Sequence, residues 1–262
     1  MPLLFQGVSP LSITFAGKNV KSLFYNGTEV WNALPPKDSL ENMSWEDISL
    51  VCRAGAASEY WQLGDTKYMV PGNAATILQI IGFDHDIVTD AAAYGRERAG
   101  LTLQLLQPPT SLNAALNGTN YAGTSWHHST AMYRSTVRTT LFPNYYESTI
   151  PQELKSVLVP VDKSYITADG GVEGIISDTL FLASNNEILG NDNSGFGSEG
   201  AQYAYYAQGN SRVKKNANGS AITWWTRSPT GSNAKFFQID TSGAQASNWV
   251  IASAYAPPCM CV

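Results

Sequence analysis

The sequence predicts an α+β domain from about residue 40 onward, with two helices packed on a twisted antiparallel sheet and long loops between them. Three observations predict it. Short β-branched and aromatic runs alternate with turn signals such as Gly64-Asp65-Thr66-Lys67 and Asp240-Thr241-Ser242-Gly243. Two stretches carry apolar residues at helical spacing: Ser129–Leu141 through Tyr133, Val137 and Leu141, and the stretch opened by Pro151 through Leu154, Val157 and Leu158. Trp224 and Trp225 stand side by side in a strand-like run. Neighbours in a strand point to opposite faces, so each ring needs its own cover.

Taken in order, the chain begins with a β-ribbon. Ser12–Phe15 and Val20–Tyr25 flank a turn at Ala16-Gly17-Lys18-Asn19, and Asn26-Gly27 is a strong two-residue hairpin signal before Thr28-Glu29-Val30-Trp31. About 20 residues of isolated ribbon do not hold together in water, so this piece is expected to dock on a partner or a second copy. Pro35-Pro36 is a stiff spacer, which divides the chain into an attachment module at 1–33 and a binding domain at 38–262. Ser44 with Asp47 predicts a capped helix, with Trp45, Ile48 and Cys52 inward and Gly55 as its stop. Glu59 to Val70 is expected as strand, turn and strand, Ala75 to Phe83 as a buried strand, and Gly174 to Ala183 as another. From Gly190 to Ser220 periodicity is lost in a Gly/Asn/Ser/Tyr-rich stretch, a length that is functional or mobile when it occurs inside a domain. Trp224–Pro229, Lys235–Ile239 and Val250-Ile251 complete the predicted sheet, with Phe237 and Ile239 inward by parity.

Composition narrows the function classes. Apolar residues make up 44% of the chain and charged residues only 14%, with a net charge of −5 and scattered Lys and Arg. That argues against nucleic acid as the main partner. No apolar run approaches the roughly 20 residues of a membrane-spanning helix. No basic residue precedes Lys18, so synthesis in the bacterial cytoplasm without a signal peptide is expected. Three cysteines do not make a disulfide framework; free thiols are expected, with Cys52 buried in a helix.

Several ligand-type residues invite a sharper reading. Asp84-His85-Asp86 has metal-ligating side chains, but three adjacent residues do not face one ion, and a polar turn after a buried strand is the expectation. His127-His128 diverge in the same way and are expected to cap a helix. Asp192-Asn193 lacks the spaced acidic ligands of an EF-hand. No Ser/His/Asp order or paired-carboxylate motif stands out, so no catalytic residue, metal or cofactor is assigned.

A resemblance adds to this. Tyr60-Trp61-Gln62-Leu63-Gly64-Asp65, Ile80-Ile81-Gly82-Phe83-Asp84-His85-Asp86, Gln202–Tyr206 and Trp224-Trp225-Thr226-Arg227-Ser228-Pro229 occur in order, together with the helix pair around Arg134 and Pro151–Leu154. Over roughly residues 40–262 the chain resembles a domain family of unknown function from phages and gut-type bacteria, with the WW-x-RSP run as its most specific mark. Members are similar to the C-type-lectin fold, in the branch shared with the formylglycine-generating enzyme and phage receptor-binding tips. The ribbon resembles the small β modules that begin many phage tail-associated proteins. The chain departs from the family at Pro257-Pro258-Cys259-Met260-Cys261, which leaves the packing of its last strand open. It also lacks the Glu-Pro-Asn and Gln-Pro-Asp triplets of calcium-dependent lectins, so the resemblance implies a C-type-lectin-like scaffold without implying a sugar.

The resemblance and the loop composition together predict a phage tail-associated receptor- or ligand-binding protein, carried on the virion and possessing no enzyme activity. Its C-terminal segment has the Ser/Asn/Ala/Gly/Tyr composition of a region diversified by retroelements. The candidate binding residues are Ser232, Asn233, Lys235, Gln245, Ser247, Asn248, Trp249, Ser253 and Tyr255. Lys235 shares the inward parity of Phe237 and reaches solvent only by its long stem. Trp249 is either an exposed anchor or the first residue of a core strand with Val250 and Ile251. Expected partners are a host-surface protein or glycan and, through the ribbon, other tail proteins or a second copy. The alternatives are a structural virion protein, or an enzyme of the formylglycine-generating type using Cys259 and Cys261.

Overall fold

Trp224 and Trp225 divide the interior in two. The computed structural model describes residues 34–117, 132–166, 174–191, 199–230 and 235–262, plus the backbone of four short strands within 13–32. Both tryptophans are fully buried, and they belong to different apolar clusters. Trp225 packs with Ile48, Leu78, Leu103, Phe142, Phe236 and Met260, and Trp224 with Ile81, Val161, Phe181, Tyr203, Ile239 and Cys261. The alternation of a strand thus pins both layers to one element. Each indole N–H also finds a main-chain acceptor, Trp224 on Arg212 at 3.1 Å and Trp225 on Ala114 at 3.1 Å.

The architecture is mixed α+β, with several small sheets and few helices. Two separate hairpins come first, β1 (Ile13–Phe15) with β2 (Lys18–Val20) and β3 (Ser22–Tyr25) with β4 (Thr28–Asn32). The β3–β4 pairing flanks the Asn26-Gly27 signal, whose two residues lie outside the described ones. Among the described residues neither hairpin pairs with another sheet.

Ser44 caps α1 (Trp45–Arg53) as expected: its Oγ accepts the Asp47 N–H at 3.1 Å and its hydroxyl donates to Asp47 Oδ2 at 2.8 Å. Gly55, at φ +76°, follows the helix end. The strand expected from Glu59 is instead one helical turn, α2 (Ala57–Tyr60). The reason is local: Trp61 is buried and its indole is tied to the Asp38 carbonyl at 3.2 Å, which turns the chain away from a sheet. Only β5 (Thr66–Tyr68) is a strand there. It begins a four-stranded sheet with β6 (Ile77–Phe83), β7 (Leu101–Leu105) and the C-terminal β17 (Cys259–Cys261), in the order β17-β7-β6-β5. Between β6 and β7 lies α3 (Ala91–Tyr94).

The second sheet has the order β15-β14-β13-β16-β8, from β8 (Asn113–Ala115), β13 (Trp224–Pro229), β14 (Lys235–Ile239), β15 (Gln245–Trp249) and β16 (Ser253–Tyr255). The parity expected for β14 needs correction. Phe236 and Gln238 are buried along with Ile239, while Phe237 is half-buried. Phe236 enters the Trp225 cluster and Ile239 the Trp224 cluster, so both faces of this strand are covered near the tryptophans.

The expected helix over Ser129–Leu141 also shifts. Its first residues lie outside the described ones; Met132–Arg134 is a 3₁₀ turn, Val137–Leu141 a π-helical turn, and the chain continues as α4 (Phe142–Thr149). Pro143 sits in the first turn of α4, where its missing N–H is tolerated. Pro151 is the cap of α5 (Gln152–Lys155) rather than its first helical residue. Leu154 and Val157 are nevertheless buried. β9 (Val161–Tyr165) pairs with β10 (Gly174–Asp178), which stops short of Ala183. A reciprocal capping box, Ser184 with Glu187, opens α6 (Asn185–Leu189). The stretch expected to be aperiodic contains α7 (Ala204–Ala207) and a minimal hairpin of β11 (Lys214–Lys215) and β12 (Ala221–Ile222).

The unusual C-terminal run is well packed. β17 pairs with β7 and is bridged on its other side by Phe181 and Val159. Cys259 and Cys261 enter the Trp224 cluster and Met260 the Trp225 cluster. All three cysteines are free and buried. Among the described residues no helix is long and apolar enough to cross a membrane.

Candidate functional site

Four ionised side chains from four places in the chain meet in the interior: Asp86 after β6, Lys163 of β9, Glu187 of α6 and Arg227 of β13. Each is at most 3% exposed. Lys163 is inward by the alternation of β9, in which Val161, Lys163 and Tyr165 are buried. Its ammonium lies 2.6 Å from Asp86 Oδ1 and 2.6 Å from Glu187 Oε1. Glu187 is placed by its helix cap, where its carboxylate accepts the Ser184 N–H at 2.9 Å. Arg227 donates to both Glu187 oxygens and to the carbonyls of Ser164, Leu182 and Glu199 at 3.1, 2.9 and 2.7 Å. Tyr203 and Thr102 hydroxyls complete Asp86.

Two anions face two cations, and that balance sets the protonation states. Burial pushes the Asp86 carboxyl up, but the Lys163 ammonium and its hydrogen bonds outweigh it and hold the group below the ordinary carboxylate range. Burial likewise opposes ionisation of Glu187, and Arg227 and Lys163 together reverse it. For Lys163, burial favours the neutral amine, and the two carboxylates hold it charged. Next to this group Glu199 differs: burial raises its pKa to about 7 against the opposing pull of Arg227, Ser228 and the Ile166 N–H.

The run Asp84-His85-Asp86 is therefore more than a polar turn. Asp84, at φ +48°, pairs outward with Arg96 at 2.9 Å, His85 stacks on Tyr203 with ring centroids 4.1 Å apart, and Asp86 turns inward. Adjacent side chains do diverge, yet donor atoms of His85, Asp86 and Glu187 lie within 4.8 Å of one another. This set does not fit a metal ion. Lys163 already bridges the two carboxylates and Arg227 holds the other edge of Glu187, so a cation would have to expel a buried ammonium.

Above the network lies a cavity of about 390 Å³, walled by Phe83, His85, Ile87, Arg98, Asp162, Ser164 and Ile175 among others. Burial lowers the His85 pKa, which leaves its imidazole neutral at neutral pH. The thiols nearby are not activated: burial pushes Cys259 up to about 12 and raises Cys261 as well.

The residues expected to bind ligand lie elsewhere. Ser232 and Asn233 fall outside the described residues, as do His127-His128 and Asp192-Asn193. The β14–β15 register places Lys235 opposite Trp249, Phe237 opposite Ser247 and Ile239 opposite Gln245, so these side chains share one face. Trp249 is 48% exposed, and the Lys235 ammonium stands 5.1 Å from its ring centroid. That excludes the core-strand alternative for Trp249. Ser247 is exposed, while Gln245 is half-buried and donates to Asn185 at 3.2 Å. Asn248 belongs to the opposite face, across from buried Phe236, and its carboxamide accepts the Trp249 N–H at 2.9 Å. Ser253 is exposed and Tyr255 half-buried on β16, the latter packed against the Trp224 cluster.

The family described as Domain of unknown function (DUF6273) matches residues 110–262, more than half of the chain. The chain belongs to that family. No curated protein matches the chain, and no solved structure does. The DUF6273 match takes in the whole β14–β15 face and three of the four buried charges, Lys163, Glu187 and Arg227, while Asp86 precedes it. The buried site of this DUF6273 chain was only partly visible in sequence. Arg227 stands in the WW-x-RSP run and Asp86 in Asp84-His85-Asp86, whereas Lys163 and Glu187 belong to no motif named in the sequence. Both had signals: a lysine on the apolar parity of Val161–Tyr165, and Ser184 three residues before Glu187 in capping-box spacing.

Proposed function

We propose that the chain is a ligand-binding protein of the phage tail-associated type, which displays the β14–β15 face on a C-type-lectin-like scaffold. Trp249 carries this reading. It is a large aromatic left 48% exposed, stacked by Lys235, on a sheet anchored by two fully buried tryptophans. Rigidly supported Trp, flanked by adaptable polar groups such as Ser247, is what binding hot spots favour. Binding rather than catalysis is supported by the interior chemistry, where Asp86, Lys163, Glu187 and Arg227 neutralise one another and burial keeps Cys259 and Cys261 protonated. In the same reading residues 1–33 attach the 38–262 domain to other tail proteins, and the segment around 231–255 is the one that diversification would vary.

The test uses fluorescently labelled protein on a panel of bacterial cells and on an array of their surface polysaccharides. Trp249→Ala is expected to abolish binding with a stability loss of no more than about 1 kcal/mol. Wild-type binding by that variant would sink the proposal. Deleting 1–33 should leave the remainder folded and cell-binding while removing assembly with tail proteins.

A further inference from the structure

We infer that the cavity above the buried charge network is a second ligand site, built for a small zwitterion: a free aliphatic amino acid or a short peptide with free ends. The fold leaves two charges of this cavity unmatched. The floor, Asp86, Lys163, Glu187 and Arg227, is neutral as a group and fully engaged. The wall is different. Arg98 and Asp162 both line the cavity, and among the described residues neither forms an ion pair. Arg98 donates through one Nη1 to the His85 carbonyl, and the Asp162 carboxylate accepts the Thr89 hydroxyl at 2.7 Å, so each keeps hydrogen-bonding capacity.

Their separation is fixed by backbone pairing. Ile87 bridges to Arg98 on one side, and on the other its carbonyl accepts the Asp162 N–H at 2.8 Å. Adjacent strands lie about 5 Å apart, so the Arg98 and Asp162 main chains stand roughly 10 Å apart across Ile87. Across that span the two charges form no ion pair with each other among the described residues, and one molecule that presents a carboxylate to Arg98 and an ammonium to Asp162 would satisfy both. An anion or a cation alone would satisfy only half of the wall. Ile87, 51% exposed, stands between the two charges, and Ile175, 71% exposed on β10 beyond Asp162, adds apolar wall with half-buried Phe83, which suits an aliphatic side chain extending from the charged end. The neutral His85 ring and the Ser164 hydroxyl make no side-chain hydrogen bond among the described residues and remain for a further polar group.

Calorimetric titration of the full chain with L-leucine and with the dipeptide leucyl-alanine tests this, with isoamylamine and 4-methylpentanoate as single-charge controls. The expected result is saturable binding of at least one zwitterion, with both controls weaker by about tenfold or more. Leucine binding would assign the site to free amino acids; binding of the dipeptide alone would assign it to peptide ends. Arg98→Gln and Asp162→Asn, both at the rim, should each weaken that binding by about tenfold with unchanged melting curves. Trp249→Ala should leave it intact, which separates this site from the hairpin face. Binding of no zwitterion, equal binding of a single-charge control, or indifference to both rim variants would overturn the inference.

Discussion

Trp225 looks into an interior of Ile, Leu, Phe and Met, whereas Trp224 looks into one that contains Asp86, Lys163, Glu187 and Lys214, with Arg227 closing it from the same strand. On the Trp225 side charge enters at the edges, through Lys67 on the carbonyls of Glu41 and Met43 and through the Arg138–Asp178 pair. On the Trp224 side it runs through the layer, with the Lys163 ammonium 4.4 Å from the Phe181 ring centroid and that of Lys214 5.3 Å from Trp224. One side is held by area removed from water and tolerates changes that conserve volume. The other is held by matched charges, so removing one partner strands the rest.

The largest loss is expected at Arg227. Arg227→Ala leaves Glu187 short of a cation and takes a donor from the Ser164, Leu182 and Glu199 carbonyls, and it should cost more than about 5 kcal/mol or abolish folding. Chemical denaturation reads this directly, and a loss below about 2 kcal/mol would show the network to be dispensable. Arg227→Lys should not rescue it, because one ammonium does not replace a five-donor fork. Trp225→Ala comes next, at about 3–5 kcal/mol from lost burial and the cavity left behind. Its cost should be the same from pH 5 to pH 9 (about the range in which native carboxylates and amines keep their charge), since the titratable members of that cluster, Cys52, Tyr145 and Tyr165, are kept protonated by burial.

pH sharpens the contrast. The Glu199 pKa rises on folding to about 7, so its contribution to stability is full below the ordinary carboxylate range and is lost as pH climbs towards 7. Lys214 is the reverse case. Burial lowers it to about 7, and among the described residues its one hydrogen-bond acceptor is the Leu105 carbonyl at 2.9 Å, so stability falls as pH drops from about 10 to 7. The two together predict a dip in melting temperature near pH 7. Lys214→Met should raise stability there by a few kcal/mol and flatten the alkaline limb. Glu199→Gln should flatten the acid limb alone. A wild-type melting temperature constant from pH 5 to 10 (about the window those shifts span) would contradict both assignments.

What was legible in sequence follows the same division. The apolar side could be read because burial leaves a periodic trace: Trp45, Ile48 and Cys52 on α1 after the Ser44 cap, and Leu154 and Val157 after Pro151. The tandem tryptophans even announced two layers. The charged side was mostly illegible, because ion pairs between Asp86 and Lys163 or Arg227 and Glu187 span 77 and 40 positions and have no spacing to recognise. Short helices failed for a related reason: α2 and α7 are single turns, too brief to show a period. Parity failed at Phe237 because β14 is covered on both faces, so the rule of one buried face did not apply. The proposed binding face was legible as a group of polar residues around Trp249, but its division between two sides of the hairpin needed the register.

The smallest expected effect on stability belongs to the third tryptophan of this sheet, which lies outside both layers. Trp249 contributes no burial comparable to Trp224 or Trp225, being 48% exposed where they are fully enclosed. Its contacts are an exposed-face cation–π stack with Lys235 and a hydrogen bond from its N–H to Asn248, which any residue at 249 would keep. A stack of this kind is worth about 0.5–1 kcal/mol at an exposed site. Trp249→Ala should therefore lower stability by no more than about 1 kcal/mol, and Lys235→Gln by a similar or smaller amount. The double variant should cost no more than the larger single change, because both remove one stack. A loss near that of Trp225→Ala would mean that the ring is covered in solution, by a second copy or by the chain itself, and its concentration dependence would tell those apart.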